Sequence, residues 1–187
     1  MIEMVVESVR VNLQTYQRVV VLKEKGADRY LPIWIGSNEA DAIVIQLQNV
    51  SVPRPQTHDL LKSVILELGA KVTRIVVTDL ADDVFYARIL IDYDGRHIEV
   101  DSRPSDAIAL AVRLKTPIFV EEAVLDKAAI TLGPDAGEEA LEHAESKTPE
   151  IKEEELKKLS AFRDFINSLD LDDLGKEGGK EEKGEQQ

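Results

Sequence analysis

The chain has no cysteine, which excludes disulfides, thiolate-bound zinc, iron–sulfur clusters and thiol nucleophiles. Aromatic residues make up only 5%, with a single Trp, and neither a base-stacking cluster nor a ribonucleoprotein signature occurs. No apolar run reaches the roughly 18 residues that a membrane-spanning helix needs. The start, Met1-Ile2-Glu3-Met4-Val5, lacks the basic flank and apolar stretch of an export signal. The three His (58, 97 and 143) do not form a zinc-ligand pattern. There is no P-loop, no GxGxxG and no G-x-S-x-G. These absences lead to the expectation of a cytoplasmic protein without a membrane segment.

What is present is an ordinary globular front and an acidic back. The 187 residues are 43% hydrophobic, enough for one core without staples. The net charge of −13 divides unevenly, with 17 acidic and 8 basic residues over 133–187 against 19 and 15 over 1–132. A field of this sign repels phosphate backbones and so works against non-specific, high-affinity DNA coating, whereas a local basic pocket or a bridging metal ion could still handle a nucleic acid.

Short β-branched runs predict strands at 3–12, 18–24 and 30–35. Pro32 cannot donate to a ladder, which places the third at a sheet edge or makes Pro32 the entry to it. Gly36-Ser37-Asn38 stops that strand, and Ser37 or Asn38 is the expected cap of a helix over 39–50 carrying Ala40, Ile43, Val44 and Leu47 inward. Pro53-Arg54-Pro55 ends it. Thr57 is the expected cap of a second helix, with Leu61, Val64, Ile65 and Leu68 as its stripe and Gly69 at its end. Strands follow at 71–79, 84–93 and 96–101, with a turn at Tyr93-Asp94-Gly95 and another at Asp82-Asp83. A third helix spans 104–115 with Pro104 in its first turn. A last strand at 117–120 and a short helix at 122–129 close the domain.

A shift of 65 residues lays Ile33–Ile43 on Ile98–Ile108, with five of eleven positions identical. The pattern predicts an α+β fold of two β-β-β-α units, mainly antiparallel, with an extra helix after the first. Residues 1–132 form this domain. Residues 133–187 divide into an acidic linker, an amphipathic helix over about 151–169 (Leu156, Leu159, Phe162, Ile166, Leu169) and a disordered tail. The helical stripe and an exposed strand edge predict self-association into a homo-oligomer.

Two polar clusters stand at helix starts: Arg54-Pro55-Gln56-Thr57-His58-Asp59 and Asp101-Ser102-Arg103-Pro104-Ser105-Asp106. A helix start offers unpaired N–H groups and positive potential, which suit phosphate. In the functional reading Asp59, Asp101 and Asp106, with Glu39 or Asp41, ligate a divalent ion. His58 moves protons, because imidazole exchanges them near neutrality. Arg54 and Arg103 grip phosphate, with Thr57 and Ser105 as hydroxyl contacts. The alternative is structural. The same Asp and Ser residues cap helices, Arg103–Asp106 is an i, i+3 ion pair, Arg54 binds Asp101 across the halves, and His58 hydrogen-bonds a carbonyl.

Leu31-Pro32-Ile33-Trp34-Ile35-Gly36 with Glu39-Ala40, then Arg54–Leu60, then Asp101–Ala111, resembles the bifunctional nuclease family in all three blocks and in their order, over about residues 1–130. The resemblance implies hydrolysis of DNA and RNA. Together with the clusters it leads to the expectation of a metal-assisted nuclease with little sequence preference, using magnesium or manganese. His58, Asp59, Asp101 and Asp106 are its expected catalytic residues, Arg54, Thr57, Arg103 and Ser105 its substrate contacts, and Glu39, Asp59, Asp101 and Asp106 its metal ligands. The competing expectation is a non-enzymatic oligomeric module that uses the same clusters for ligand binding or regulation.

Overall fold

The computed structural model describes residues 1–12 and 16–131. The expected linker, helix and tail over 133–187 lie outside the described residues. Alternating β-branched segments give β1 (Ile2–Val11), β2 (Arg18–Glu24) and β3 (Arg29–Ile35), then β4 (Lys71–Ala81), β5 (Val84–Tyr93) and β6 (Arg96–Ser102), with β7 (Ile118–Val120) and β8 (Ile130–Thr131) at the end. The helices are α1 (Ser37–Leu47), α2 (Thr57–Glu67), α3 (Pro104–Leu114) and α4 (Glu122–Ala128). Among the described residues no helix is long and apolar enough to cross a membrane.

The eight strands form one sheet in the order β6-β5-β4-β7-β1-β2-β3-β8. Among the described strands only β4 and β7 run parallel. Two antiparallel meanders, β1-β2-β3 and β4-β5-β6, thus flank the short β7, and each ends in a helix. This is the α+β fold expected from the sequence. The edge strand is β8, not β3, but β8 pairs only with Arg29 and Tyr30, so Pro32 is paired with Val21 on one side and lies beyond the reach of β8 on the other.

The structural repeat differs from the one read in sequence. A shift of 67, not 65, lays β3 on β6 and α1 on α3 end to end. It pairs Ala40 with Ala107 and Ile43 with Leu110, all fully buried. The sequence match tolerated the wrong register because α3 is buried from Ala107 through Ala111, so its apolar run accepts either one. The corrected register sets Glu39 opposite Asp106, each in the first turn of its helix.

The helix boundaries also move. Gly36, not Ser37 or Asn38, caps α1, and Gln56, not Thr57, caps α2. The α1 helix stops at Leu47 instead of Val50. Asn49 takes a left-handed φ of 53°, and Val50 N–H closes back on Ile45 O. The same wrap ends α2, with Gly69 at φ 74° and Ala70 N–H on Ile65 O. The expected apolar stripe of α2 is mostly exposed. Ile65 is buried, but Leu61, Val64 and Leu68 face solvent. Besides Ile65, the buried residue of α2 is His58 at its start, which turns inward.

The core lies between one face of the sheet and the helices, from Met4, Val20, Leu22, Leu31 and Ile33 across to Ile75, Val77, Ile89 and Val120, sealed by Ile43, Ile108, Leu110 and Leu125. Two tight hairpins hold the second meander. Asp82-Asp83 and Asp94-Gly95 both adopt left-handed φ at each turn residue, as two-residue turns with the right twist require. Asp82-Asp83 is therefore a turn, as expected. Two adjacent aspartates occupy that conformation poorly. Asp82→Asn/Asp83→Gly is expected to raise unfolding stability by roughly 0.5–1 kcal/mol, read as a higher urea midpoint at constant slope.

Candidate active site

Three helix starts meet at one cleft. The α1 start follows β3, the α3 start follows β6, and the α2 start is brought in by the Pro53–Pro55 turn. Asn38, Glu39, Asp41, Gln56, Thr57, His58, Arg103 and Asp106 line it, with Ala42, Ile45 and Pro55, around a volume of about 700 Å³.

One buried side chain bonds to all three helices. Arg113, on α3, is 5% exposed. Its Nε donates to Asp59 Oδ1 at 2.7 Å and its Nη2 to Gln56 Oε1 at 3.1 Å, both on the α2 start. Its Nη1 donates to Ala42 O of α1 at 3.0 Å and to Ala109 O of α3 at 2.9 Å. Every guanidinium nitrogen is thus satisfied, which makes a buried charge tolerable. Asp59 also accepts the Gln56 N–H at 2.9 Å, closing the first turn of α2. Burial works against the Asp59 charge, but the Gln56 and Arg113 hydrogen bonds prevail and hold its pKa below the ordinary 3.8.

With α2 fixed, His58 meets α3. His58 Nε2 lies 3.1 Å from Asp106 Oδ1. Asp106 also accepts a two-pronged contact from Arg103, Nε to Oδ2 at 2.7 Å and Nη2 to Oδ1 at 3.1 Å. Arg103 Nη2 then donates to Glu39 Oε1 at 2.7 Å, joining the equivalent first-turn carboxylates of α1 and α3. Burial opposes ionisation of Asp106, yet the bonds from Arg103 and His58 outweigh it and lower its pKa. An ionised carboxylate only accepts, so the hydrogen bond assigns the proton to Nε2 and leaves Nδ1 as the exchanging ring atom. The Arg103 guanidinium is raised further above its ordinary value by Asp106 and then Glu39. Its side chain is two-thirds exposed, so solvent screens these pairs and they orient more than they stabilise.

Gly36 makes room for this chain of contacts. A Cβ there would lie 2.2 Å from Glu39 Oε2. The bare cap lets the Glu39 carboxylate fold back over its own helix start, where Arg103 reaches it. The sequence reading took Gly36 only as a strand stop.

Of the expected site residues, the structure brings together Glu39, Thr57, His58, Arg103 and Asp106. Four others lie elsewhere. Asp59 is turned away from the cleft wall to Arg113. Asp101 is exposed on β6, paired in register with Arg88, and does not line the cleft. Ser105 is buried and outside the lining. Arg54 is exposed beside Pro55, outside the lining, and makes no contact with Asp101 among the described hydrogen bonds and ion pairs. Asp59, Asp101 and Asp106 therefore do not converge on one ion, and among the described residues no three His, Asp or Glu are set to hold one. Spacing in sequence misled here because residues adjacent to a helix cap alternate between cleft, core and strand. Arg113 was missed because an arginine in the last turn of a helix is ordinarily a solvent-facing residue, and only the burial of α3 on nearly all sides makes this one an internal link.

Arg113→Ala leaves the Asp59 carboxylate without its buried partner and is expected to cost about 3–5 kcal/mol in urea unfolding. A loss below about 1 kcal/mol would remove Arg113 from this role. The lowered pKa values of Asp59 and Asp106 mean that the unfolded chain takes up protons first, near 3.8. Their contribution is thus complete above that pH and is lost as pH falls through the lower folded values. The urea midpoint is expected to fall on acidification from pH 5 to pH 3, and Asp59→Asn to flatten that fall.

Comparison with known proteins agrees with the motif order. The profile of the family described as Bifunctional nuclease domain matches residues 20–133. Two proteins from strains of Mycobacterium tuberculosis, both described as uncharacterized, are 41% identical over 172 residues, covering 92% of this chain and 97% of theirs. Bifunctional nuclease 1 of Oryza sativa subsp. japonica is 30% identical over 112 residues, 58% of this chain and 34% of that protein. Bifunctional nuclease 2 of Arabidopsis thaliana is 28% identical over 114 residues, 59% of this chain and 35% of its own length. The fold, the three motif blocks and these matches together place the chain in the bifunctional nuclease domain family.

Proposed function

We propose that the chain is a nuclease that hydrolyses phosphodiester bonds of DNA and RNA with little sequence preference. The observation that carries this reading is the His58–Asp106 contact at the meeting point of three helix starts. Helix starts favour a phosphate through their free N–H groups and dipoles. The water oxygen bonds to phosphorus as the ester P–O bond breaks, His58 Nδ1 takes the proton of that water and passes it to the departing oxygen, and Asp106 holds the ring and stabilises the charge that forms on it meanwhile. Arg103 bridges Asp106 and Glu39, which fixes the dyad against rotation. Arg54, exposed beside the cleft wall, reaches the phosphate chain outside it. The lining carries no base-sized aromatic side chain, which fits recognition of backbone over sequence.

Magnesium or manganese belongs to this proposal in a changed form. The expected ligand set is not assembled, but such ions bind commonly through one or two carboxylates plus substrate phosphates and water. Asp41, whose side chain is 63% exposed, and Glu39 line the cleft and suit that mode. A bound ion would neutralise phosphate charge against the acidic lining. The cytoplasmic setting expected from sequence is part of the same reading.

The second reading, a ligand-binding or regulatory module without catalysis, draws on the saturation of Arg103 by two carboxylates, which leaves that arginine little to offer a phosphate. Turnover separates the two. On labelled single-stranded DNA and RNA with manganese present, His58→Ala is expected to lower kcat about 10²- to 10⁴-fold, with Asp106→Asn in the same range. Undiminished cleavage by both variants would mean that the activity resides elsewhere. Absence of cleavage by the unmodified protein, together with oligonucleotide binding, would favour the module.

A further inference from the structure

The outer strand β6 is exposed along all but its last residue. It contains no Pro and pairs with β5 without a register shift. The opposite edge is guarded by Pro32 and partly covered by β8. A long edge without Pro or bulge is a template for another strand. Pairing alternates along an antiparallel ladder, counted here from Tyr93↔Arg96, which closes the two-residue turn. The N–H and C=O groups of His97, Glu99 and Asp101 therefore face away from β5. Arg96, Ile98, Val100 and Ser102 share the helix-bearing face, since Val100 pairs with Ile89 and Ser102 with Ala87, both buried. Ile98 and Val100 are nonetheless 39% and 40% exposed.

We propose that β6 pairs antiparallel with β6 of a second copy about a twofold axis at Glu99. The strand is self-complementary in that register. His97 faces Asp101 of the partner subunit, and Ile98 faces the partner's Val100, each pair occurring twice. The two Glu99 carboxylates meet at the axis, but each is already held by its own Arg88 at 2.6 Å. Moving the axis to Val100 would set Glu99 against an aspartate. Moving it to Ile98 would leave Asp101 and Ser102 unpaired. The same register brings the partner's Arg96 opposite Ser102, beside Arg103 at the cleft. The Arg96 side chain has no hydrogen-bond or ion-pair partner among the described residues. It would supply the cleft with an arginine not already saturated by carboxylates. That consequence rests on the nuclease reading, and the interface does not.

The lack of cysteine makes the register readable. Facing residues of such a pair have Cα atoms about 5.5 Å apart, within disulfide range. Glu99→Cys in the full chain is expected to cross-link into a dimer under mild oxidation. Arg96→Cys, roughly 20 Å from its own counterpart, is not. By sedimentation equilibrium the unmodified protein is expected to dimerise. Ile98→Lys/Val100→Lys, with unchanged circular dichroism, is expected to weaken dimerisation at least about tenfold. A monomer at every concentration, or a dimer that resists the lysines and does not cross-link through position 99, would overturn the interface. Arg96→Ala should stay dimeric and bind a fluorescein-labelled single-stranded oligonucleotide about three- to tenfold more weakly. Unchanged binding would overturn the arginine's contribution alone.

Discussion

The structure depends on how one buried arginine is satisfied. Arg113 lies near the end of α3, yet it holds the starts of α2 and the middle of α1 through Asp59, Gln56 and Ala42 O. Beyond that, α2 sends only Ile65 into the core and Lys62 Nζ to Arg113 O at 3.3 Å, because most of its apolar side chains face solvent. Its orientation is set by directional bonds at one end, and a guanidinium fork fixes an angle where an apolar contact would fix only a distance. That angle turns His58 inward to Asp106. Asp59 therefore acts on the cleft through position, by anchoring the helix start next to the histidine.

The duplicated architecture explains why two carboxylates share one arginine. Both β-β-β-α units deliver a helix whose first turn carries an acid, Glu39 in one and Asp106 in the other. The two helices pack together over the same sheet face, so the acids converge on the space between them. Arg103, which caps α3 where the first unit has Gly36, fills that space. The asymmetry at the equivalent caps makes the site. One unit supplies the bare backbone over which Glu39 folds, and the other supplies the cation that receives it. The helix α2, which follows α1 in the first unit, adds the histidine.

Much of the fold was legible because periodicity is local. Strand alternation, the Pro32 edge, the Asp82-Asp83 and Asp94-Gly95 turns and Pro104 at a helix start each follow from a few neighbouring residues. The juxtaposition of the second and third main helix starts was also legible, since both clusters combine caps with charge. Less legible was which member of each cluster faces the cleft. In Asp101–Asp106 the chain leaves a strand and enters a helix. One aspartate is left on the exposed edge, a serine goes into the core and the other aspartate goes to the cleft. The α2 stripe failed for a different reason: helical spacing marks an apolar face but not whether anything covers it. Arg113 required knowing that α3 is buried on nearly all sides.

The central claim is that Arg113 fixes α2 so that His58 donates from Nε2 to Asp106. Long-range proton–nitrogen NMR of the labelled imidazole tests it most directly. The account predicts a His58 ring protonated at Nε2 with Nδ1 free in the unmodified protein, and loss of that single tautomer in Arg113→Met at a temperature where the sheet remains folded. A His58 protonated at Nδ1, or a tautomer unchanged by Arg113→Met, would contradict it.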